Sequence, residues 1–519
     1  MIIALLGSSG NMGEKTFSTL LKEDYIEKIK ILGHQKKSTK NLLKKNKKYK
    51  NKIEVIYGSI ADKEVVRELI KDSDYVINMA AVIPPLSDKA PLKAIEANEI
   101  GVKNLVEAIE EIKLNQPKFI HISTVGLYGD RNYNQPFGEV GDPLLLSPFD
   151  IYAVTKMRGE FTVLESNIKE WVILRQSAML YDKMLMKNVS DGLMFHTCFN
   201  TPLEWTTAND SAILIRNILR KDKKEWTSAG FFWKKCFNIG AKVENRVTGF
   251  ETLDLGFKII GCSTYDFFDT NYNSLRNFHG LWFSDGYKLE ELFNYQNDVI
   301  TDFWDNVLKT HPYFKLAYIC PKKLMKKLVI KRLLKDTNSP TYWYKHNDEA
   351  RMKAYFKSKE DYENIPKEWD KFNLLINNKG NDGKDIDYNK LRNTPTHLNH
   401  FFDINKNIEE VTIEDLRNVA SAHGGRLITE DFKTGDVYRK VEWENQDKER
   451  FVARPYSVLY CGHWMNISYK EYAWDFDRLS KKDKVYAQIW YDSHDKDEDN
   501  FYYYDENFKA CYRKINKWK

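Results

Sequence analysis

Tyr152-Ala-Val-Thr-Lys156 places a phenol and an ammonium four residues apart. On a helix that spacing puts both groups on one face. An ammonium beside a phenol favours phenolate and lowers the phenol's pKa from about 10. A tyrosine so tuned can give or take a proton near neutral pH. Upstream, Phe119-Ile-His-Ile-Ser123-Thr124 reads as a strand ending in hydroxyls. A hydroxyl there can hold a substrate carbonyl or alcohol and orient it towards Tyr152. The chemistry these residues describe is proton transfer at a carbonyl or carbinol.

A second cluster opens the chain. Gly7-Ser8-Ser9-Gly10-Asn11-Met12-Gly13 follows a short apolar run and precedes a helix-like stretch. One glycine allows a tight turn, another lets the backbone approach a pyrophosphate, and the third lets the helix pack on the sheet. The helix N-terminus offers free N–H groups and a positive dipole end to phosphates. A dinucleotide cofactor held along Gly7–Gly13 is therefore expected, with Ser9, Asn11 and Met12 among its contacts. The second apolar run ends Leu32-Gly33-His34-Gln35-Lys36-Lys37, without the carboxylate that would bond the 2′-hydroxyl of NAD. His34, Lys36 or Lys37 suits a 2′-phosphate, so NADP is expected ahead of NAD. Small residues in Asn78-Met79-Ala80-Ala81 let the cofactor lie close to the backbone at the end of the fourth run.

These groups need elements to position them. Apolar runs at 2–6, 29–32, 53–57, 75–79, 119–122 and 171–174 read as strands, and 64–70, 94–112 and 152–165 as helices between them. Such alternation predicts an α/β fold, a Rossmann doubly wound parallel sheet covered on both faces. From about 176 the pattern turns irregular, where a small substrate lobe would stand over the carboxyl ends of the strands. The segment 286–335 is helical, amphipathic and basic around Lys322 to Lys335. The expected division is a first domain over 1–335, a helical and linker region over 336–400 with a turn-rich stretch at 377–385, and an α+β module over 401–519.

The order of these motifs resembles the extended short-chain dehydrogenase/reductase family, which includes nucleotide-sugar epimerases and dehydratases. The resemblance covers about residues 1–335. It rests on the glycine pattern, Asn78 to Ala81, Asn98 ahead of Gly101, Ser123-Thr124-Val-Gly-Leu-Tyr128-Gly129, Tyr152/Lys156, Trp171-Val-Ile-Leu-Arg175 and Asn238-Ile-Gly240. It implies that Thr124 takes the catalytic serine/threonine place and Asn98 the structural or proton-relay asparagine. Ser59, before Ile60, stands where the family often bonds the adenine amine with Asp. Val125 and Gly126 replace the Asp-Glu pair of the sugar dehydratases, and Gln176 stands where proline is common. The implied activity is NAD(P)-dependent hydride transfer on a nucleotide sugar or similar polar metabolite, as an oxidoreductase or epimerase. The alternative is a non-catalytic NAD(P)-binding regulator with a C-terminal partner-binding module. Gln176, Met194, His196 and Arg246 are the candidate substrate contacts. The family's habit of pairing the helices near 94–112 and 152–165 implies a homodimer.

The remaining features bound the partners. A net charge of +6 is too small to argue for nucleic acid, and the acidic stretch 492–499 argues against it. The lysine run from 36 to 52 reads as a solvated face. Six scattered cysteines form no CxxC pair, which fits a reducing cytoplasm. No apolar run reaches the roughly 18 residues of a span, so no membrane partner is expected. The stretch 411–466 resembles a small zinc-ribbon-like module that has lost its metal. Glu444-Asn445 and Met465-Asn466 occupy the cysteine places, and Cys461 with His463 cannot complete a tetrahedral site. Trp443 and Trp464 would carry its core.

Overall fold

The computed structural model describes the chain except residues 34–36, 182–183, 185–191, 225–228, 378–383, 465–471 and 518–519. Each predicted apolar run forms a strand, and a seventh strand joins them. The strands are β1 (Ile2–Leu6), β2 (Lys28–Gly33), β3 (Ile53–Tyr57), β4 (Tyr75–Asn78), β5 (Lys118–Thr124), β6 (Trp171–Gln176) and β7 (Lys235–Ile239). They form one sheet in the order β7-β6-β5-β4-β1-β2-β3, and every pairing is parallel. The order reverses at β1 and β4, where open α/β sheets bind their ligands. The edge strand β7 escapes an apolar-run reading because Lys235 and Asn238 interrupt it.

Parallel neighbours need crossover helices, and these cover both faces. Side chains alternate along each strand to meet them. Ile3 and Leu5 of β1 pack with α1 (Asn11–Leu20) and α5 (Ala208–Asp222). Ala4 and Leu6 pack on the other face with α2 (Lys63–Ile70), α3 (Gly101–Glu111) and α4 (Ile151–Leu164). The helix expected over 94–112 is broken by a π-turn at Glu96–Ile100, a distortion often found at functional sites.

The C-terminal part packs onto the second face. One continuous apolar cluster runs from Phe119 and Trp171 through Trp343 to Trp443 and Trp464. Strands Val441–Glu444 and Arg450–Ala453 form an antiparallel hairpin, with Arg426–Leu427 beside it. Trp443 and Trp464 meet edge to face inside this unit, with ring centroids 6.0 Å apart. Cys461 and His463 turn away from the hairpin into the N-terminal half; Met465 and Asn466 lie outside the described residues. The acidic stretch is tied down by ion pairs, Glu498 to Arg276 and Asp499 to Arg478 among them.

This packing involves one of the two helices through which the expected homodimer would pair. No residue of α4 is exposed. Its outer side meets the chain's own C-terminal segment: Arg158 donates to the Tyr504 hydroxyl at 3.3 Å, and Phe161 contacts the ring of His463. Glu99, near the start of α3, accepts from the Tyr512 hydroxyl at 2.6 Å. Among the described residues no helix is long and apolar enough to cross a membrane.

Candidate active site

The loop between β1 and α1 is built so that only glycine fits. Gly7 has φ +79°, and a Cβ there would lie 2.6 Å from the backbone of Met79 and Ala80. A Cβ on Gly13 would lie 2.0 Å from the Gly7 carbonyl oxygen. Gly10 precedes α1 without a side-chain cap, so no side chain of its own competes for the first N–H groups. Ser9 is exposed and Asn11 half-buried at this opening, while Met12 is buried in the core beneath it. At the neighbouring strand ends, Met79 and Ala80 are half-buried and Ala81 is exposed. The Asn78 carboxamide oxygen accepts from the Ala80 N–H at 3.1 Å and holds that turn. Ser59 is exposed, its hydroxyl accepting from the Ala61 N–H at 3.2 Å, and Ile60 is buried against Gly101. His34 and Lys36 lie outside the described residues; Lys37 is exposed at the start of the helix Lys37–Lys45.

Strand β5 delivers Thr124 to the start of α4. The Thr124 hydroxyl stands near enough to the Tyr152 phenol to oppose the rise of its pKa, and accepts from the Gly126 N–H at 3.1 Å. Ser123 is buried and its hydroxyl has no hydrogen-bond partner among the described residues, whereas Thr124 is the hydroxyl that acts on the tyrosine. One turn along α4, the Lys156 ammonium donates to the Ile122 carbonyl at 2.6 Å. Burial lowers its pKa to about 8, against the opposing charge of Glu160. The expected lowering of the phenol does not appear in this geometry. Burial pushes Tyr152 up to about 12, with the Thr124 hydroxyl opposing it, while the ammonium is engaged by the Ile122 carbonyl.

Asn98 sits in the π-turn as a clamp. Its carboxamide accepts from the Val82 N–H at 2.8 Å and donates to the Val82 carbonyl and the Thr155 hydroxyl, each at 3.0 Å. It thereby ties the loop after β4 to α4 between Tyr152 and Lys156.

A histidine that no spacing announced completes this end. Asp150 caps α4 by accepting from the Ala153 N–H at 2.9 Å, and its other oxygen lies 3.1 Å from His279 Nδ1. A Cβ on Gly126 would lie 3.9 Å from His279 Cδ2 and 3.5 Å from the Thr124 hydroxyl. Both are ordinary contact distances, so His279 of the substrate lobe stands next to position 126 and the Thr124 hydroxyl. His279 is far from the motif in sequence, and only folding brings it there.

The polar candidate substrate contacts are each engaged within the protein, and Gln176 lies opposite Thr124 in the sheet. The Gln176 carboxamide donates to Thr206 at 2.5 Å and accepts from Ser211 at 3.0 Å. His196 lies 2.7 Å from the Asn338 carbonyl, and its ring contacts Trp343. Arg246 donates to the buried Glu204 carboxylate at 3.0 Å and to the Phe283 carbonyl at 2.8 Å. Met194 is half-buried against the main core. A cleft of about 640 Å³ opens beside α1, bordered by Asn11, Lys15, Tyr181, Thr207, Asp298 and His311; neither Thr124 nor Tyr152 lines it.

The parallel sheet with its switch point at β1 and β4 and the glycine loop that follows β1 give the N-terminal half the architecture of an open α/β dinucleotide-binding fold. Residues 5–171 match the family model described as GDP-mannose 4,6 dehydratase. The chain is 27% identical over 116 residues to a dTDP-glucose 4,6-dehydratase of Mycolicibacterium smegmatis, covering 22% of this chain and 33% of that enzyme. It is 29% identical over 134 residues to a UDP-N-acetylglucosamine 4,6-dehydratase (inverting) of Campylobacter jejuni, covering 24% of this chain and 39% of that enzyme. The chain thus spans well under half the length of these curated relatives. A crystal structure of a dTDP-glucose 4,6-dehydratase double mutant from Streptomyces venezuelae, with NAD bound, aligns with a TM-score of 0.49 at 16% identity, over 60% of this chain and 97% of that one.

Proposed function

We propose that the chain is an NAD(P)-dependent enzyme acting at a carbinol or carbonyl carbon of a nucleotide sugar or similar polar metabolite, as an oxidoreductase or an epimerase. The observation that carries this reading is the placement of Thr124 at the end of β5 beside Tyr152 on α4, with Lys156 one turn further along and bonded to the Ile122 carbonyl of the same strand. A dinucleotide suits the glycine loop: Gly7 and Gly13 let it pack tightly against neighbouring backbone, and the start of α1 lacks a side-chain cap. Gly7, Gly10, Gly13 and the N–H groups of α1 would hold the pyrophosphate, and Met79, Ala80 and Ala81 would border the rest. Such a cofactor supplies the hydride acceptor or donor. Thr124 orients the substrate oxygen, Tyr152 takes or gives its proton, and Lys156 holds positive charge one turn from the phenol.

NADP remains the favoured form, on the missing carboxylate after Gly33 and the cations that follow it. Val125 and Gly126 still weigh against water elimination by the dehydratase route, because neither can act as acid or base. His279 is the group beside them that could exchange a proton, backed by Asp150. The test is Tyr152→Phe, assayed with NAD and NADP against dTDP-glucose, UDP-N-acetylglucosamine and GDP-mannose. Loss of a general acid–base group should reduce turnover by a factor of roughly 10²–10⁴. Turnover equal to the parent's would refute the mechanism. Mass spectrometry of the nucleotide that co-purifies decides between NAD and NADP.

A further inference from the structure

The substrate lobe carries a surface that the proposed chemistry does not use. Residues 312–335 contain eight lysines and arginines and no aspartate or glutamate. Two of these cations are paired, Lys322 with Asp266 at 2.7 Å and Lys326 with Asp269 at 2.8 Å. Lys315, Lys323, Lys327, Lys331, Arg332 and Lys335 make no ion pair among the described residues.

Large apolar side chains lie among these charges. In the 3₁₀ turn Pro312–Ile319 no residue is buried. Side chains three apart eclipse one another in such a turn, so Tyr313, Leu316 and Ile319 share a face. Leu316 is 67% exposed and Ile319 83%. The helical run that follows, Lys322 to Leu333, turns Ile330 and Leu333 into the core. It leaves Leu324 and Leu328, one turn apart, in solvent, with Leu328 61% exposed. Lys323, Lys327 and Lys331 follow the same spacing beside them. Exposed aliphatic side chains cost free energy in water, and clustered ones mark a surface meant to be covered.

We infer that residues 312–335 dock on the surface of an anionic phospholipid bilayer, with Leu316, Ile319 and Leu328 entering the headgroup boundary and the unpaired cations facing lipid phosphates. Aliphatic anchors within a basic, acid-free segment are the composition that interfacial binding requires. Nucleic acid would satisfy the cations and leave the aliphatic groups in water. Tyr313 and Tyr318, exposed beside them, suit the headgroup level. Attachment on this surface holds the substrate lobe at the membrane while the rest of the chain stays in water. That departs from the expectation of no membrane partner, which rested only on the absence of a span.

The test is co-sedimentation of the full chain with vesicles of equimolar phosphatidylcholine and phosphatidylglycerol, against phosphatidylcholine alone. The parent should pellet with the anionic vesicles, weaken as salt is raised, and stay in the supernatant with neutral ones. Leu316→Ser/Ile319→Ser/Leu328→Ser should abolish pelleting, and Lys323→Gln/Lys327→Gln/Lys331→Gln should reduce partition roughly a hundredfold. Both variants alter exposed positions, so unchanged thermal melting serves as the folding control. Three results overturn the proposal: no pelleting of the parent with anionic vesicles at low salt, pelleting unaffected by the serine variant, or a parent dimer in solution that the serine variant dissociates.

Discussion

His463 Nε2 lies 2.9 Å from Glu160 Oε1, joining the C-terminal module to the middle of the helix that carries Tyr152 and Lys156. Both side chains are buried, and the same carboxylate receives Arg175 at 2.6 Å. Arg175 also donates to the Tyr128 hydroxyl and the Cys461 carbonyl, each at 2.7 Å. Burial alone would raise the Glu160 carboxyl, but the Arg175 guanidinium and the His463 imidazole hold it well below the usual carboxylate range.

Removing either partner of that carboxylate should therefore cost stability unequally. His463→Ala leaves Glu160 paired with Arg175 and should cost about 2–4 kcal/mol through lost packing and one charge-assisted hydrogen bond. Arg175→Met leaves a buried carboxylate without its main counter-charge and should cost about 3–5 kcal/mol. Because the two share Glu160, the double variant should lose less than the sum. Denaturant midpoints of the three variants check this, and additive losses would contradict the shared network.

Lys156 sets a pH limit. Its folded pKa, lowered by burial to about 8, lies below the ordinary value of 10.5. Above about pH 8 the folded chain gives up this proton while the unfolded chain keeps it. This group therefore adds stability as pH rises from about 8 towards 10.5. Turnover should run the opposite way, falling above about pH 8 as the ammonium beside Tyr152 is lost. Lys156→Arg, which stays charged, should lose that alkaline limb even if its rate is lower. A pH–rate profile of parent and variant measures both.

Asp130 gives an opposite signature. Burial raises its carboxyl to about 7, against the hydrogen bond from the Asn277 N–H. Between the ordinary 3.8 and about 7 the folded chain holds a proton that the unfolded chain has released, so this group's contribution falls as pH rises through that window. Asp130→Asn keeps the acceptor for Asn277 without the charge. It should raise stability at pH 8 by about 2–4 kcal/mol and change little at pH 4. Thermal melts at the two pH values distinguish this from a uniform packing effect.

Asn98 is expected to act through position. Asn98→Ala removes three hydrogen bonds and leaves the N–H and C=O of Val82 without their partner. The cost should be about 2–3 kcal/mol, with a larger loss of turnover than of cofactor binding because α4 shifts under Tyr152. Equal losses in both would point to general unfolding, and fluorescence titration with the dinucleotide separates the two.

Much of this was legible in the chain. The alternation of apolar runs announced six of the seven strands, because a strand buried on both faces must be apolar throughout. Gly7 and Gly13 marked their turn because no larger residue fits where backbone meets backbone. Tyr152 and Lys156 could be paired from spacing alone, since a helix converts four residues into one face. The strand β7 was missed because an edge position tolerates Lys235 and Asn238.

What sequence periodicity determined, then, was local: which segments become strand or helix, and which side chains share a face. The long-range relationships were decided by the fold. No spacing foretold that His279 would stand beside Gly126, that His463 would reach Glu160, or that Gln176 and Arg246 would be engaged by Thr206 and Glu204. Nor could it foretell that the outer side of α4 would be covered by the chain's own C-terminal segment. These depend on which surfaces bury their apolar area against one another, and that is a property of the assembled core.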